Sequence, residues 1–331
     1  MRAPEDAPLG VREIGSFYVG GELVTLSGLP IRELVSAPGG PVHRADPNGE
    51  IAAGQMYAHY VRLAEPRGPV PVMMWHGGGM SGANWEATPD GRQGWEMRFL
   101  RAGLDVYVCD SVERGRASWA PYPYVYASEP FFRTAREAWE VTFRFGPTGS
   151  WDPAPARRVT HPGLRFPVDA FDQFMKQSMP RWATNDDATQ AAYDALVARV
   201  GESVLVAHSQ GGHFALKAAL AAPDGIRAVV LLDASGAPDP SVADAARLRE
   251  VPHLFVWGDF LDRHAFWVGT VPPVRRWYDA LRDAGVDAEW AELPARGVHG
   301  NSHALMMDDN SDQIADMVLD WLHTRDLVTR G

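Results

Sequence analysis

The segment 203–212 places a serine where it could act as a nucleophile. An apolar run that ends at Ala207 leads through His208 to Ser209, and Gln210 and two glycines follow before a helical pattern begins. A tight turn between a buried strand and a helix has room only for small residues beside the serine, and it aims the helix N-terminus at the group attacked. We therefore predict that Ser209 is a nucleophile, with Ala207 in place of the first glycine of the Gly-x-Ser-x-Gly pattern.

A glycine-rich segment could stabilise the negative charge that such an attack creates. His76 and the glycines at 77–79 directly follow the apolar run 72–75. Consecutive glycines let the backbone approach a substrate and point its N–H groups inward. We predict that an oxyanion hole is formed by the N–H groups of Gly78 and of Gln210, the residue after the nucleophile. A phosphate-binding loop is disfavoured because no Gly-Lys-Ser/Thr follows.

A serine nucleophile needs a base, and two histidines near the C-terminus could supply it. His299 and His303 lie in the segment 297–303, after the last predicted strand and before the last predicted helix. We favour His303 as the base because it lies nearest to the final helix and follows small and polar residues that can form a loop. His299 would then orient this loop or contact the substrate.

The carboxylate that orients the base has three candidates. Asp233 ends the predicted strand 228–232, whereas Asp259 and Asp262 follow the next strand, 253–257. A carboxylate at the end of either strand would face the histidine, where it would hold the imidazole tautomer and stabilise the imidazolium. Composition and spacing leave the choice between these positions open.

The candidate residues lie at the ends of elements in an alternating pattern of strands and helices. Apolar or alternating runs predict a β-hairpin at 16–24 with its turn at Gly20-Gly21, and further strands at 56–63, 71–75, 105–109, 203–207, 228–232, 253–257 and 288–293. Helical patterns occur at 94–101, 211–221, 241–249, 274–284 and 311–323. Strands that alternate with helices predict an α/β fold with a doubly wound, mostly parallel sheet.

One stretch interrupts this alternation. Residues 117–181, between the strand 105–109 and the nucleophile strand, are rich in aromatic side chains. We interpret this stretch, called the insert below, as a cap or lid over the active site of a single domain that spans residues 1–331. For any one ring, packing of the insert onto the sheet is the simpler interpretation, although some of the rings should line a pocket.

Composition limits the classes of partner. The chain has 331 residues, of which 46% are hydrophobic, and its formal net charge is −11. An acidic chain repels phosphate backbones and anionic lipids, so we expect no nucleic-acid partner and no membrane partner. The single cysteine, Cys109, precludes an intrachain disulfide. The spacing of the histidines does not suggest a zinc site, and we expect no metal and no organic cofactor.

The sequence also bears on location. No segment is long and apolar enough to span a bilayer, and the N-terminal residues lack the apolar stretch of a signal peptide. We expect a cytoplasmic protein, and the alternative is a chain whose secretion signal has been removed. A homodimer is compatible with the sequence, which does not determine the oligomeric state.

Taken together, these motifs resemble a small bacterial esterase subfamily of the α/β-hydrolases. The resemblance runs from about residue 20 to the last helix, and its most distinctive parts are the stretches Glu-Arg-Gly-Arg-Ala-Ser at 113–118 and Gly-Asn-Ser-His at 300–303. It implies an α/β-hydrolase fold and an acid after the sixth strand, which in this chain is Asp233. A member of that subfamily has a glutamate there, so the aspartate must bring its carboxylate about one methylene closer to His303. The subfamily also tends to have other residues where this chain has Gly78 and Gly79.

The motifs and the resemblance together predict hydrolysis of a small carboxylic ester or lactone through an acyl-enzyme. A carbon–carbon bond hydrolase or an acyltransferase would use the same three residues, so the sequence does not separate these activities. Dehalogenases and epoxide hydrolases need a carboxylate at the position of Ser209. A non-catalytic ligand-binding protein on the same scaffold is disfavoured because the serine, the histidine and the glycines are all present. Arg114 and Arg116 could bind a substrate carboxylate, but a structural pairing with Glu113 or another acid is the simpler interpretation.

Overall fold

The computed structural model describes residues 8–329. The N-terminal residues that bear on the absence of a signal peptide lie largely outside this range. The strands are β1 Val11–Leu26, β2 Arg32–Val35, β3 Val42–Ala45, β4 Gly49–Leu63, β5 Val72–Trp75, β6 Val106–Asp110, β7 Ser203–His208, β8 Ile226–Leu232, β9 His253–Trp257 and β10 Ala288–Glu292. The α-helices are α1 Ala83–Glu86, α2 Trp95–Arg101, α3 Ala135–Glu137, α4 Phe171–Met175, α5 Asp186–Val200, α6 Gln210–Ala221, α7 Ala265–Asp283 and α8 Ser311–His323.

A mixed eight-stranded sheet forms the centre of the fold, in the order β1-β4-β6-β5-β7-β8-β9-β10. The strands from β6 to β10 in this order run parallel, whereas β4 pairs antiparallel with both β6 and β1. The central strands β5, β6 and β7 are buried along their whole length, which explains their continuously apolar sequences. The predicted α/β fold with a mostly parallel sheet is confirmed.

Successive residues of the central strands point into two separate cores. Val204 and Val206 belong to a core with helices α2 and α8 and with the insert. Leu205 and Ala207 belong to a core on the opposite face, with helices α5, α6 and α7. This alternation with a period of two is the normal geometry of a strand. The insert and helix α6, which follows Ser209, therefore lie on opposite faces of the sheet.

The hairpin predicted at 16–24 is wrong. Strand β1 continues through Gly20 and Gly21 and pairs with β4, with Gly20 opposite Gln55 and Glu22 opposite Ala53. Both glycines have φ of 72°, and a Cβ on Gly21 would lie 2.5 Å from the backbone N of Gln55. The two glycines therefore let β1 continue at positive φ with its register to β4 unchanged, and the distant strand β4 supplies the partner that a local turn would have supplied.

Two of the helix predictions also need correction. At 241–249 the structure has only the 3-10 turn Ala245–Leu248, because Val242 is 86% exposed and only Ala245 and Leu248 are buried. Helix α7 begins at Ala265 rather than at 274 and includes both Pro272 and Pro273. Burial of Trp267 ahead of the two prolines anchors this first part of the helix, where the prolines leave carbonyls unpaired.

Helix α5 was not predicted from the sequence, although its signals are present. Asp186 and Asp187 lie in its first turn, where acidic side chains complement the helix dipole. Tyr193, Leu196 and Val197 have the spacing of one buried helical face, and all three are buried against the sheet. Among residues 8–329, no helix is long and apolar enough to cross a membrane.

The insert lies against the sheet mainly through its aromatic rings. Several of these rings are buried in the same core as β7, namely Trp139, Phe143, Phe145, Phe166, Phe171 and Phe174. Others are exposed, namely Trp119, Tyr122, Tyr124, Phe131 and Phe132. The buried rings therefore attach the insert to the domain, as the packing interpretation expects for most of them.

Candidate active site

Ser209 lies at the sharp turn between β7 and α6. Its backbone has φ of 54° and ψ of −119°, a conformation that residues other than glycine rarely adopt. The turn is closely packed, since a Cβ on Gly211 would lie 2.7 Å from the carbonyl oxygen of His76 and one on Gly212 would lie 2.8 Å from the Cβ of Ala234. Small residues are therefore required beside Ser209, and the strained turn holds the serine at the end of the sheet.

His303 lies within hydrogen-bond distance of the serine. Its Nε2 is 2.9 Å from Ser209 Oγ, and its Nδ1 is 3.1 Å from Asp233 Oδ2. An ionised carboxylate can accept a hydrogen bond but cannot donate one. The proton shared with Asp233 is therefore on Nδ1, and Nε2 is left to accept from the serine hydroxyl. This is the tautomer that a general base requires.

Asp233 follows β8 with φ of 46° and is fully buried. Its Oδ1 accepts a hydrogen bond from the backbone N of Gly258 at 2.8 Å, and its Oδ2 accepts from Arg144 Nη2 at 2.6 Å as well as from His303. Burial alone would raise the pKa of this carboxyl group, but Arg144 and His303 outweigh burial and lower the pKa to about 2. Asp233 is therefore ionised at neutral pH.

The alternative acids and the alternative base lie elsewhere. Asp262 is 77% exposed and pairs with Arg263, and His299 is 69% exposed. Asp259 accepts hydrogen bonds from the backbone N of Phe260 and of Gly300. Asp259 thus holds the loop that leads to His303, and the structure brings Asp233, rather than Asp259 or Asp262, to the imidazole.

Asp308 is a buried acid that also holds the loop leading to His303. Asp308 accepts hydrogen bonds from the backbone N and the hydroxyl of Ser302 and from the side-chain amide of Asn301. Burial raises its pKa to about 7, against the effect of these hydrogen bonds. The polar residues of the Gly-Asn-Ser-His stretch therefore position His303 through Asp259 and Asp308.

The predicted oxyanion donors lie on two adjoining segments. Within residues 8–329, neither the N–H of Gly78 nor that of Gln210 donates a hydrogen bond. The glycine loop packs tightly against the serine, because a Cβ on Gly77 would lie 2.7 Å from His208 Nδ1 and 2.9 Å from the Cβ of Ser209. Arg133 Nη1 donates to the carbonyl oxygen of Gly78 at 3.0 Å and braces the loop from the insert.

His76 holds the start of this loop. Its Nε2 accepts from the backbone N of Ser111 at 3.1 Å, so the proton is on Nδ1, which donates to the carbonyl oxygen of Gly77 at 2.8 Å. Burial and the charge of Arg114 lower the pKa of His76 to about 4. A neutral imidazole therefore fixes the loop at neutral pH.

Two side chains of the site were missed by the sequence analysis. His208 Nε2 donates to the carbonyl oxygen of His303 at 2.7 Å, which ties the nucleophile strand to the histidine loop. Arg144, in the insert, is buried, has φ of 57° and bonds Asp233. Its guanidinium carbon lies 4.4 Å from the ring centroid of Trp267, which in turn packs against His303. His208 directly precedes Ser209, so its position was a signal, whereas nothing in the sequence connects residue 144 with residue 233.

The charge state of His303 follows from its surroundings. Burial lowers its pKa to about 4, Asp233 opposes this effect, and the positive charges of Arg144 and Arg133 add to it. The imidazole is therefore neutral at neutral pH and available to accept a proton. The arrangement can deprotonate Ser209 and hold the imidazolium that results beside a carboxylate.

The two arginines considered for a substrate carboxylate are paired within the protein. Arg114 is buried and lies 3.4 Å from Glu113 Oε1, and Arg116 lies 2.7 Å from Asp110 Oδ2. The structural interpretation of both arginines therefore fits their contacts. No group of three or more His, Cys, Asp or Glu side chains in the described part of the chain is arranged to hold a metal ion.

The chain is similar to known proteins in both sequence and structure. No protein-family model matches it. The solved structure of a novel bacterial esterase is 32% identical to this chain and covers 97% of it and 98% of the esterase, with a TM-score of 0.82. The probable secreted lipase phiG of the fungal strain ATCC 74256 is 26% identical over 347 residues, which are 84% of this chain and 91% of the lipase.

Proposed function

The chain belongs to the family of the bacterial esterase that it matches over nearly its whole length, and we propose that it hydrolyses a carboxylic ester or lactone with Ser209, His303 and Asp233 as a catalytic triad. The observation that carries this proposal is the continuous set of hydrogen bonds from Ser209 Oγ through His303 to Asp233. The strained backbone at both Ser209 and Asp233 adds support, because such strain concentrates at functional sites.

The first half of the reaction forms an acyl-enzyme. Ser209 Oγ attacks the ester carbonyl while its proton passes to His303 Nε2, and the carbonyl oxygen becomes an oxyanion held by the N–H groups of Gly78 and Gln210. Asp233 stabilises the imidazolium through Nδ1. The tetrahedral intermediate then collapses: the bond to the leaving oxygen breaks, and His303 returns the proton to that oxygen, which departs as an alcohol.

The second half uses water in place of the serine. His303 takes a proton from water, and the hydroxide oxygen attacks the acyl carbonyl in the same oxyanion hole. Collapse of this second intermediate releases the carboxylic acid, and His303 returns its proton to Ser209. A lactone would follow the same steps, with the leaving alcohol still attached to the acyl group.

We further propose that the insert is a cap over this site. Its backbone is hydrogen-bonded to both loops that carry the chemistry: Met179 N donates to Gly79 O at 2.8 Å, and the carbonyl oxygen of Phe143 accepts from His303 N at 3.1 Å. Together with Arg133 on Gly78, these bonds support a cap that is attached to the catalytic loops.

The test is hydrolysis of short- and medium-chain p-nitrophenyl esters by the wild type, Ser209→Ala and Asp233→Asn. Both substitutions should lower kcat/KM by about a thousandfold or more, since the first removes the nucleophile and the second the charge that fixes the tautomer. A fluorophosphonate should label the wild type at Ser209.

The matched controls are Ser241→Ala and Asp262→Asn, at exposed positions away from the triad. These variants should keep the wild-type rate. A Ser209→Ala variant that retains the wild-type rate would contradict the proposed nucleophile. Unchanged activity of Asp233→Asn would remove this carboxylate from the triad.

A further inference from the structure

A charged side chain beside the glycine loop takes no part in the proposed mechanism. Arg181 lies at the end of the insert, where its backbone exchanges hydrogen bonds of 2.9 and 3.0 Å with Phe131. Its Nη1 is 3.4 Å from the position that a Cβ on Gly78 would take, and Gln210 Oε1 is 2.8 Å from the same position. The guanidinium therefore lies next to Gly78, one of the predicted oxyanion donors, and near the side chain of Gln210.

This guanidinium has no anionic partner in the part of the chain that the structure describes. Its Nε is buried and donates no hydrogen bond. The guanidinium carbon lies 5.6 Å from the ring centroid of Phe131. By contrast, Arg114 and Arg144 each contact a carboxylate. Arg181 as a whole is only partly buried, but a buried donor atom without an acceptor is costly, so its Nε calls for an explanation.

The nearby carboxylates are occupied by other groups. Glu113 accepts hydrogen bonds from the backbone N of Trp182 at 2.9 Å and from Asn185 Nδ2 at 2.5 Å, in addition to its contact with Arg114. Asp186 is exposed and accepts from Gln210 Nε2 at 3.3 Å. Neither acid pairs with Arg181.

A second guanidinium adds positive charge at the same place. Arg133 donates to Gly78 O and lies 3.6 Å from Glu137, which is only partly buried. The charge of Arg181 contributes to lowering the pKa of Arg133 and that of Arg114, after the larger effect of burial on each, so Arg181 is close enough to repel both cations. In a chain with a net charge of −11, this local group of cations favours an anion beside the oxyanion loop.

We infer that Arg181 binds a carboxylate of the substrate, so that the preferred substrates are esters that carry a free carboxylate in addition to the ester group. This inference rests on the proposed function, because it places the carboxylate next to the oxyanion hole. Arginine suits this role because its planar fork of N–H donors matches the two oxygens of a carboxylate. Arg133 braces the loop and adds charge, and Arg181 makes the direct contact.

The test compares pairs of substrates that differ only in charge. One pair is the monomethyl ester of adipic acid and its carboxamide, with the charge on the acyl side. The other pair is the acetyl ester of γ-hydroxybutyrate and that of its amide, with the charge on the alcohol side. In at least one pair, the wild type should hydrolyse the carboxylate with a kcat/KM about 10- to 100-fold above that for the amide. A charge-assisted hydrogen bond accounts for a difference of this size.

Substitution at Arg181 then assigns the preference. Arg181→Met should remove the preference for the carboxylate, so that kcat/KM falls far more for the charged substrate than for its amide. Arg181→Lys should retain part of the preference because it keeps the charge without the fork. Adipate should inhibit hydrolysis of a neutral p-nitrophenyl ester by the wild type and not by Arg181→Met. Arg136→Met, at an exposed arginine of the same insert, is the matched control and should leave the ratio unchanged.

The outcomes separate this inference from the proposed function. A wild type that hydrolyses each amide at least as fast as its carboxylate would overturn the inference alone. Equal losses for both substrates in Arg181→Met would also overturn it, since they would assign Arg181 to loop structure or to the oxyanion. A wild type that hydrolyses none of the esters and is not labelled by a fluorophosphonate would instead overturn the proposed function, and the inference with it.

Discussion

Opposing charges meet at the imidazole of His303. Asp233 favours the protonated ring, whereas burial and the cations Arg144 and Arg133 favour the neutral ring, and the neutral ring prevails with a pKa of about 4. Arg144 thus acts on the base in two ways. It holds Asp233 in place through a hydrogen bond of 2.6 Å, and its charge keeps His303 ready to accept a proton. In the proposed mechanism it is a positioning residue, since it acts through Asp233 and His303.

This arrangement predicts the pH dependence of the reaction. A base must be neutral to act, so kcat/KM should fall on the acid side only as the pH approaches the lowered pKa of His303. Arg144→Met removes a positive charge that lowers this pKa, so the pKa should rise and the acid limb should move to higher pH. Arg144→Lys keeps the charge and should move the limb less. The measurement is kcat/KM against pH for the three proteins.

A control for folding accompanies this experiment, because loss of one partner of a buried ion pair can cost about 3–5 kcal/mol of stability. The profiles are compared at a temperature at which thermal unfolding shows all three proteins to be folded. An acid limb that stays in place, or that moves to lower pH in Arg144→Met, would contradict the proposed effect of the arginine.

Among the elements, the glycine loop and the turn at Ser209 are in close contact. Gly77 faces His208 and Ser209 so closely that a methyl group has no space, and His208 is itself bonded to the histidine loop. The three segments that carry the proposed chemistry therefore position one another. Their geometry therefore requires a residue without a side chain at position 77.

Gly77→Ala should accordingly displace the oxyanion loop from the serine. With one oxyanion donor out of place, kcat should fall about 100- to 1000-fold, while KM changes less because the donor acts mainly in the transition state. The measurement is kcat and KM on a p-nitrophenyl ester.

The matched control is Gly269→Ala, in helix α7, where an added Cβ meets nothing within 4 Å. This variant should keep its activity and gain up to about 1 kcal/mol in the free energy of unfolding, because alanine favours a helix. Full activity of Gly77→Ala would show that the loop can yield, and would argue against a rigid oxyanion hole.

On the scale of the whole molecule, the insert and the sheet share one core. Phe145 is fully buried and stacks on Phe166 with the ring centroids 4.0 Å apart, in the same core as Val206 of the nucleophile strand. Arg144, directly before Phe145, donates a hydrogen bond to Asp233 at the end of β8 and so joins the insert to the sheet. A cap that is packed in this way should unfold together with the domain.

Phe145→Ala tests this coupling. Loss of the ring should lower the free energy of unfolding by about 3–5 kcal/mol, and activity and secondary structure should be lost in a single coincident transition. Phe132→Ala, which removes a ring of the same insert that is 69% exposed, should change stability by less than about 0.5 kcal/mol. A first transition that abolishes activity while the sheet remains folded would show that the insert unfolds by itself.

The sequence by itself determined much of the fold and pointed to the site. Continuously apolar runs mark strands buried on both faces, so β5 to β9 were predicted nearly to their ends. The serine turn, the glycine loop and the final histidine loop each carry a local pattern, because each depends on small residues close in sequence. The fold class could therefore be derived without coordinates, and Ser209, Gly78 and His303 could be named as candidates.

Contacts between distant segments were decided only by the tertiary structure. Asp233 and Asp259 each follow a buried strand. Only the packing of β8 and β9 against the histidine loop distinguishes the acid that contacts the imidazole from the acid that supports the loop. In the same way, β1 is a long strand rather than a hairpin because β4 lies beside it. The contacts of Arg144 and Arg181 depend on how the insert folds back over the sheet, and no periodicity or local motif encodes a contact between residues so far apart in the chain.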